Sequence, residues 1–317
     1  MNSLENIPKV SVMVITYNQI DFIHETIQSV LIQDYPNIEY VIADDGSTDG
    51  TADVIEGYAK DYPDVIKAIT RQPNVGITNN SNRGLSECTG KYIAFQGGDD
   101  VFLPGKLTAQ IKWLESDAKR VLCYHDMDVF DSTTNKTLYI NSEIQPFYKG
   151  GANLLIKYGT FFGATTVMIR RPQFQMNFDT RIPIASDWLY WIETVERQHG
   201  VLGFVDGVYA RYRKHGGNIT SVSNHWHRDS LLTLGIVKHD FPEYSRIVNR
   251  KLSEIYLISA FRFLKRGRYK EVLKDIYMSC SYGLWIFYGA FRLVNLKVYK
   301  IRVKLLQCLG LGKYDRE

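Results

Sequence analysis

Cysteine is scarce in this chain, and the four cysteines among its 317 residues stand far apart. Cys88, Cys123, Cys280 and Cys308 form no Cys-x-x-Cys pair, which argues against a zinc site and favours a reducing compartment. The amino-terminal residues also lack the basic and apolar stretches of a signal peptide. Together these absences predict a cytoplasmic location.

Long apolar runs are scarce as well. The run at residues 282–296 is interrupted by Arg292 and Asn295 and falls short of the ~20 residues that a membrane-spanning helix needs. Residues 246–317 carry 16 Lys and Arg against 5 Asp and Glu, although the whole chain has a net charge of only +4. Aromatic and basic residues alternating over residues 282–304 favour a peripheral helix on an anionic membrane surface, at the inner face of the cell membrane. A helix packed on the rest of the protein, or in a homodimer interface, is the alternative; nothing resembles a nucleic-acid-binding module.

Two aspartate pairs, by contrast, each follow a short apolar run. Asp44-Asp45 follows residues 41–43, and Asp99-Asp100 follows residues 92–95 and two glycines. A short apolar run that stops at carboxylates and glycines is typical of a buried parallel strand. Open α/β sheets bind ligands at the carboxyl ends of such strands. The two pairs are therefore predicted to face one pocket that holds a cation and a nucleotide.

Strand and helix patterns alternate through the first part of the chain. Strands are predicted at residues 10–16, 40–43, 65–69 and 92–95, and the helices between them begin near Asp21, Asp49 and Asn79. This alternation predicts an α/β fold with a parallel sheet. Later strands are expected at residues 121–124, 167–169, 203–205 and 208–212, with a helix at residues 187–198. The pattern becomes helical from about His225, which predicts a catalytic domain at residues 1–224 and a helical, basic extension at residues 225–317.

The sequence segments in this order resemble the family 2 glycosyltransferases. The resemblance rests on VSVMVITYN, ADDGSTDGT and NVGITNNSNRGLSECTGKYIAFQGGDDVFLP, followed by SDW at residues 186–188 and YRKHGGNIT at residues 212–220. It covers roughly residues 8–220 and implies a GT-A-type (Rossmann-like), mostly parallel sheet flanked by helices. It also implies inverting, metal-dependent transfer of a sugar from a nucleoside diphosphate sugar to a hydroxyl of a glycan or lipid-linked acceptor in bacterial surface-polysaccharide biosynthesis.

The resemblance assigns donor-binding roles to several residues. Asp45 would accept a hydrogen bond from a uracil-type imide, which favours a UDP-type donor, and Tyr17 would stack on the base. Asp44 and Asp45 can also simply cap the following helix. Arg83 lies two positions from the basic residue of the family pattern. The full predicted donor-binding set is Thr16, Tyr17, Asn18, Asp45, Asn82, Arg83, Asp99 and Arg213.

The metal and the catalytic base are assigned in the same way. Asp100 would be the main ligand of Mn²⁺ or Mg²⁺, with Asp99 and His215 as further ligands. A solvated turn rich in Gly and Asp is the alternative for this segment. Asp187 would be the catalytic base, taking the proton of the acceptor hydroxyl, and its alternative role is to cap the helix that follows. Trp188 is either part of an acceptor platform or part of the core.

Three positions depart from the family pattern: Ser81, Gly97 and Ser186. These departures keep open an inactive sugar-nucleotide-binding or scaffold protein as an alternative function. A nucleotidyltransferase is the other alternative. It would usually carry a Gly-rich, basic motif near its amino-terminus for a triphosphate, and residues 10–18 offer none.

Overall fold

The computed structural model describes residues 7–219 and 225–283. Its first part is built from strands that are apolar and buried on both faces, alternating with helices that cover them. The strands are β1 (Val10–Thr16), β2 (Ile38–Asp44), β3 (Ile66–Ile69) and β4 (Tyr92–Gly97). The helices are α1 (Ile20–Leu31), α2 (Thr51–Asp61) and α3 (Ile77–Glu87).

The second part of the sheet is more irregular. It contains β5 (Val101–Phe102), α4 (Lys106–Glu115), β6 (Arg120–Asp131), β7 (Thr137–Ile140), α5 (Ala152–Tyr158), β8 (Met168–Arg170), α6 (Asp187–Arg197) and β9 (Val201–Lys214). The strand order is β3-β2-β1-β4-β8-β6-β9-β5, and β7 pairs with β6. Strands β1 to β4 pair in parallel, as predicted, whereas β8, β5 and β7 pair antiparallel with their neighbours. The predicted α/β fold is confirmed.

Several predicted boundaries were wrong. Residues 203–205 and 208–212, expected as two strands, belong to the single 14-residue strand β9. Its partner β6 extends well beyond the predicted residues 121–124, and their register shifts on both sides of Asp126. Such bulges break the alternation from which strands are predicted. Helix α1 begins at Ile20, whose N–H is bound by Asp49 at 3.0 Å, so Asp21 is not its cap.

Three helices follow the sheet: α7 (His225–Asp240), α8 (Ser245–Lys265) and α9 (Tyr269–Ser281). Leu234, Val237, Val248, Leu252 and Ile255 belong to the same apolar cluster as the central strands and α6. The predicted helical region is therefore confirmed, and its helices α7 and α8 share this cluster with the sheet while they pack on helices α6 and α5. No helix in the described part of the chain is long and apolar enough to cross a bilayer. The tail predicted to lie on a membrane falls, from residue 284 onward, outside the described residues.

Candidate active site

Both aspartate pairs lie beside the carboxyl end of β1. This strand has β2 on one side and β4 on the other, with Thr16 opposite Asp44 and Ile15 opposite Gly97. The two pairs therefore emerge at the same level of the sheet edge, on the two sides of one strand. This is the crevice at which parallel sheets present ligand-binding groups.

The first pair organises two loops. Asp44 is fully buried and accepts the N–H of Ser47 at 2.9 Å, and it also binds the Ser47 hydroxyl. The two carboxylate oxygens of Asp45 accept the N–H groups of Val75 at 2.8 Å and Gly76 at 2.9 Å. Neither carboxylate binds the first turn of α2, so the capping alternative does not apply to this pair.

Two residues of the predicted donor set meet at this pair. Arg83 lies with its Nη1 3.6 Å from the Asp45 carboxylate, and the same nitrogen donates to the carbonyl of Pro73 at 2.9 Å. The structure thus brings Arg83 to Asp45 although the guanidinium comes from α3, 38 positions later in the sequence.

The loop after β1 is held against the loop after β2. Asn18 adopts the left-handed backbone region at φ 51°, donates its N–H to Ser47 at 2.8 Å and accepts the N–H of Thr48 at 2.9 Å. The hydroxyl of Thr16 donates to Gln19 at 2.8 Å. Between them Tyr17 keeps 48% of its surface exposed. A large aromatic side chain held at the sheet edge in this way is available to stack on a flat ligand.

The second pair is joined by the end of β9. His215 Nε2 lies 2.9 Å from Asp99 Oδ2, and Asn218 donates to the same oxygen at 3.3 Å. The N–H of Gly217 donates to His215 Nδ1 at 3.2 Å. The imidazole ring packs on Phe22 of α1, with ring centroids 4.7 Å apart.

Asp100 lies deeper, where Arg213 spans both aspartates. Its Oδ1 accepts the backbone N–H of Arg213 at 3.1 Å, and the Arg213 guanidinium donates to the carbonyl of Asp99 at 2.8 Å. Burial, and then the neighbouring charge of Asp99, raise the pKa of Asp100 well above its usual value. Arg213 is itself buried and also pairs with Glu25. In this arrangement Arg213 braces the acidic turn.

Helix α1 supports the acidic turn from below, which the sequence analysis missed. The hydroxyl of Thr26 donates to the carbonyls of Gly98 and Asp100, each at 3.0 Å. Gly98 packs against β1 so closely that an added Cβ would lie 2.6 Å from Thr16. At Gly97, one of the three departures from the family pattern, an added Cβ would lie 2.8 Å from a carboxylate oxygen of Asp99. The glycines therefore let the turn close on its own carboxylates.

Asp187 opens α6 as its first residue. Its carboxylate accepts the N–H of Trp188, which lies in the first turn of that helix, at 2.9 Å, and this is a contact that the helix-capping alternative also expects. Burial by the surrounding protein raises the pKa of Asp187 to about 6. Trp188 is buried and donates to the carbonyl of Leu155 at 3.0 Å, so it belongs to the core.

The loop before Asp187 is tied to α3. The hydroxyl of Thr78 donates to the carbonyl of Ile182 at 2.6 Å and lies 2.9 Å from the hydroxyl of Ser186. Thr78 follows the segment whose N–H groups bind Asp45 by only two residues. A continuous set of contacts thus runs from Asp45 through the first turn of α3 to the residue preceding Asp187.

The remaining members of the donor set are placed differently. Both amide atoms of Asn82 bind the backbone of Phe178, at 2.8 Å each, so this side chain anchors the same loop. From the other side, Asp229 of α7 accepts the N–H of Ala185 at 3.0 Å. Sequence reasoning missed Asp229, because a single acid on a helix with no nearby motif gives no signal.

The three residues predicted to hold a metal, Asp99, Asp100 and His215, lie near one another at the acidic turn. Across the described residues, 7–219 and 225–283, no three acidic, histidine or cysteine side chains are arranged as a ready-made metal centre. Mg²⁺ and Mn²⁺ commonly use one or two carboxylates together with phosphate oxygens of a substrate. Two adjacent carboxylates fit a cation of that kind, whose charge would offset the repulsion between Asp99 and Asp100.

Comparison with known proteins finds glycosyltransferases among the relatives of this chain. Residues 11–175 match the family model "Glycosyl transferase family 2". The putative glycosyltransferase EpsE of Bacillus subtilis is 41% identical over 124 residues, which are 39% of this chain and 45% of EpsE. The chain therefore spans less than half of that relative. The putative teichuronic acid biosynthesis glycosyltransferase TuaG of the same organism is 29% identical over 69% of this chain and 83% of TuaG.

Solved structures share the fold at low sequence identity. S. aureus TarS 1–349 in complex with UDP-GlcNAc superposes with a TM-score of 0.64 at 17% identity, covering 97% of this chain and 93% of that one. The mannosyltransferase PcManGT of Pyrobaculum calidifontis, in complex with GDP-Man and Mn²⁺, gives 0.60 at 16% identity, covering 99% and 89%. The fold is of the GT-A type with an acidic turn at the sheet edge, and the family model matches more than half of the chain. The chain therefore belongs to glycosyl transferase family 2 and is a glycosyltransferase.

Proposed function

We propose that this glycosyltransferase moves a sugar, with inversion at the anomeric carbon, from a nucleoside diphosphate sugar to a hydroxyl of a glycan or lipid-linked acceptor. The observation that carries the proposal is the unbroken set of contacts from Asp45 through α3 to Ser186, next to Asp187. It joins a carboxylate suited to a nucleobase with a carboxylate suited to proton transfer. The name of TuaG, which refers to teichuronic acid biosynthesis, supports a role in building a polymer. The UDP-GlcNAc bound to TarS supports a UDP-sugar donor.

Donor recognition would begin at the first aspartate pair. Asp45 already accepts two backbone N–H groups, but a carboxylate has about four acceptor sites and can take a third hydrogen bond from a base imide. Tyr17 is exposed beside it and would cover the base. Arg83 would balance the charge of Asp45 rather than bind the donor directly, because it already faces that carboxylate.

Asp187 would act as the base. As the acceptor oxygen attacks the anomeric carbon, its hydroxyl proton passes to the Asp187 carboxylate and the bond from that carbon to the diphosphate oxygen breaks. A base works best when its pKa lies near the operating pH, and a pKa of about 6 leaves Asp187 ionised at neutral pH while strengthening it as a proton acceptor.

The acidic turn would hold the leaving group. Asp99, Asp100 and His215 would hold Mn²⁺ or Mg²⁺, which when bound neutralises charge developing on the diphosphate. Arg213 keeps both aspartates oriented through the Asp99 carbonyl and the Asp100 carboxylate. Thr26 fixes the turn from α1.

The test is a donor screen with purified protein over UDP-, GDP- and dTDP-sugars, with Mn²⁺ or with EDTA. Wild-type protein is expected to release nucleoside diphosphate from one donor class only, and Asp100→Asn to reduce that release at least about a hundredfold. Asp187→Asn should bind the donor normally and lower transfer to an acceptor by about a thousandfold or more. Asp206→Asn, which changes an exposed aspartate, is the matched control.

The outcome decides each part separately. Full transfer by Asp187→Asn removes Asp187 from the base role, and release of nucleotide undiminished by EDTA removes the metal. Magnetic resonance of the product's anomeric proton decides between inversion and retention.

A further inference from the structure

Helix α9 buries two polar residues and exposes most of its large apolar ones. The buried residues of this helix are Asp275 and Ser279, one turn apart. Ser279 donates to the carbonyl of Ser253 on α8 at 2.9 Å, and the two serine hydroxyls lie 2.9 Å apart. A helix on the surface of a protein in water normally shows the opposite pattern.

The outer face of α9 is a continuous apolar stripe. Its large apolar side chains recur at intervals of four, three and one residues, which places them on one side of a helix. Leu273 is 70% and Tyr277 72% exposed. The end of α8, across the three-residue turn 266–268, adds two more. The stripe therefore comprises Phe261, Leu264, Tyr269, Leu273, Ile276 and Tyr277.

The same two helix segments are strongly basic. Six basic side chains between residues 262 and 274 are exposed, and of the two acids in residues 261–277, Asp275 is buried and Glu271 pairs with Arg268. The exposed basic residues are Arg262, Lys265, Arg266, Arg268, Lys270 and Lys274. The outer face thus combines apolar side chains with an excess of positive charge.

Charge indicates which partner binds this face. A second copy of the chain would bring the same positive face against itself. The chain beyond the described part, residues 284–317, carries 7 Lys and Arg against 2 Asp and Glu, so its charge does not complement this face. An anionic bilayer matches both features, because apolar side chains enter the headgroup region while Lys and Arg meet lipid phosphates.

We infer that the outer face of α8 and α9, defined by the stripe and the basic residues above, docks the enzyme on an anionic lipid bilayer. The docking is independent of donor chemistry, and it fits an acceptor carried on a lipid. It assigns membrane contact to folded helices, of which α9 packs on α8 and α8 on α5 of the catalytic domain, and the active site would then be held at a fixed height above the surface.

The experiment is co-sedimentation of the full-length protein with vesicles. Vesicles of phosphatidylcholine mixed with phosphatidylglycerol are compared with vesicles of phosphatidylcholine alone. Wild-type protein is expected to bind the anionic vesicles only. Leu273→Ser/Tyr277→Ser and Lys270→Gln/Lys274→Gln should each weaken this binding at least about tenfold. Leu138→Ser changes an apolar residue that is 53% exposed on β7 and should bind as wild type does.

Four results would overturn the inference. The first two are no binding by wild type, and equal binding by wild type and the Leu273→Ser/Tyr277→Ser variant. The third is a dimer, detected by light scattering, that this variant dissociates. The fourth is a melting temperature that this variant lowers while Leu138→Ser does not. The last would mean that the chain itself covers the stripe. Donor hydrolysis in vesicle-free solution should stay unchanged in every variant, which separates failure of docking from failure of the proposed reaction.

Discussion

Asp187 is a half-buried carboxylate whose pKa lies close to the pH at which it would work. Because burial raises that pKa to about 6, the group loses its charge when the pH falls below this value. A base must be ionised, so we predict that kcat for transfer falls about tenfold for each pH unit below about 6 and is level above it. The pH profile of kcat with saturating donor measures this. A level profile down to pH 4.5 would contradict the assignment.

The same raised pKa predicts a cost in stability. A carboxyl group whose pKa is higher in the folded protein than its ordinary 3.8 binds its proton more tightly when folded. Stability is therefore lost as the pH rises from about 4 to about 6, and the cost is complete at neutral pH. Asp187→Asn should raise the free energy of unfolding by about 3 kcal/mol at pH 7 and leave it unchanged at pH 3.5.

Urea denaturation at the two pH values measures this difference. A gain in stability together with a loss of transfer would identify Asp187 as a functional residue held at a structural cost. A loss of stability at pH 7 would instead identify it as part of the structural framework. Asp206→Asn, on an exposed position of β9, should change neither value.

At the level of elements, the regular part of the fold was predictable. Strand β1 was predicted at its observed bounds, because its apolar run and the polar residues at which the strand ends are neighbours in the sequence. The two acidic pairs at the sheet edge, Asp44-Asp45 and Asp99-Asp100, were predicted in the same way. Local pattern was enough wherever a strand and the loop after it are consecutive in the chain.

The contacts that hold the site together were not predictable. Asn82 meets Phe178 across 96 residues and Arg213 meets Asp99 across 114, and neither pair shares a local pattern. The sequence identifies the polar residues of a family motif, but it does not show whether each one binds the ligand or stabilises a loop. Asn82 was expected at the donor and has both amide atoms engaged by the backbone, so its role in donor binding stays a prediction.

Helix α7 reaches the site through one hydrogen bond, from which a prediction follows. Asp229 is fully buried and accepts the N–H of Ala185, two residues before Asp187. Asp229→Ala should remove this acceptor, let the loop shift and lower kcat about ten- to a hundredfold, with the KM for the donor unchanged. Asp229→Asn keeps an acceptor oxygen of the same reach and should restore most of kcat.

Steady-state kinetics with varied donor, at pH values on both sides of 6, separate the possibilities. If Asp229 positions the loop, Asp229→Asn should restore kcat, and the fall of kcat at low pH should stay at the pKa of Asp187. If Asn and Ala lose the same activity, or if both variants simply lower the melting temperature without the split between kcat and KM, Asp229 serves the fold alone.

At the scale of the whole molecule, the sheet and the carboxyl-terminal helices share one apolar cluster. Residues of α7 and α8 such as Val237 and Leu252 belong to the cluster that contains Met13 of β1 and Trp191 of α6. A shared core couples the stability of its parts, because neither can open without exposing the other's apolar surface. The division at residues 224 and 225 therefore marks a change in sequence pattern, and we propose that it marks no boundary in unfolding.

That proposal leads to a calorimetric prediction on one helix. The full-length protein should unfold in a single transition with equal calorimetric and van't Hoff enthalpies. Leu252→Ala truncates a buried side chain of α8 and should cost about 2–5 kcal/mol, moving the whole transition to lower temperature without splitting it. Leu264→Ala makes the same change on the same helix at a position that is 48% exposed, and should cost less than about 0.5 kcal/mol. Two separated transitions, with only the lower one moved by Leu252→Ala, would mean that the helices fold independently of the catalytic sheet.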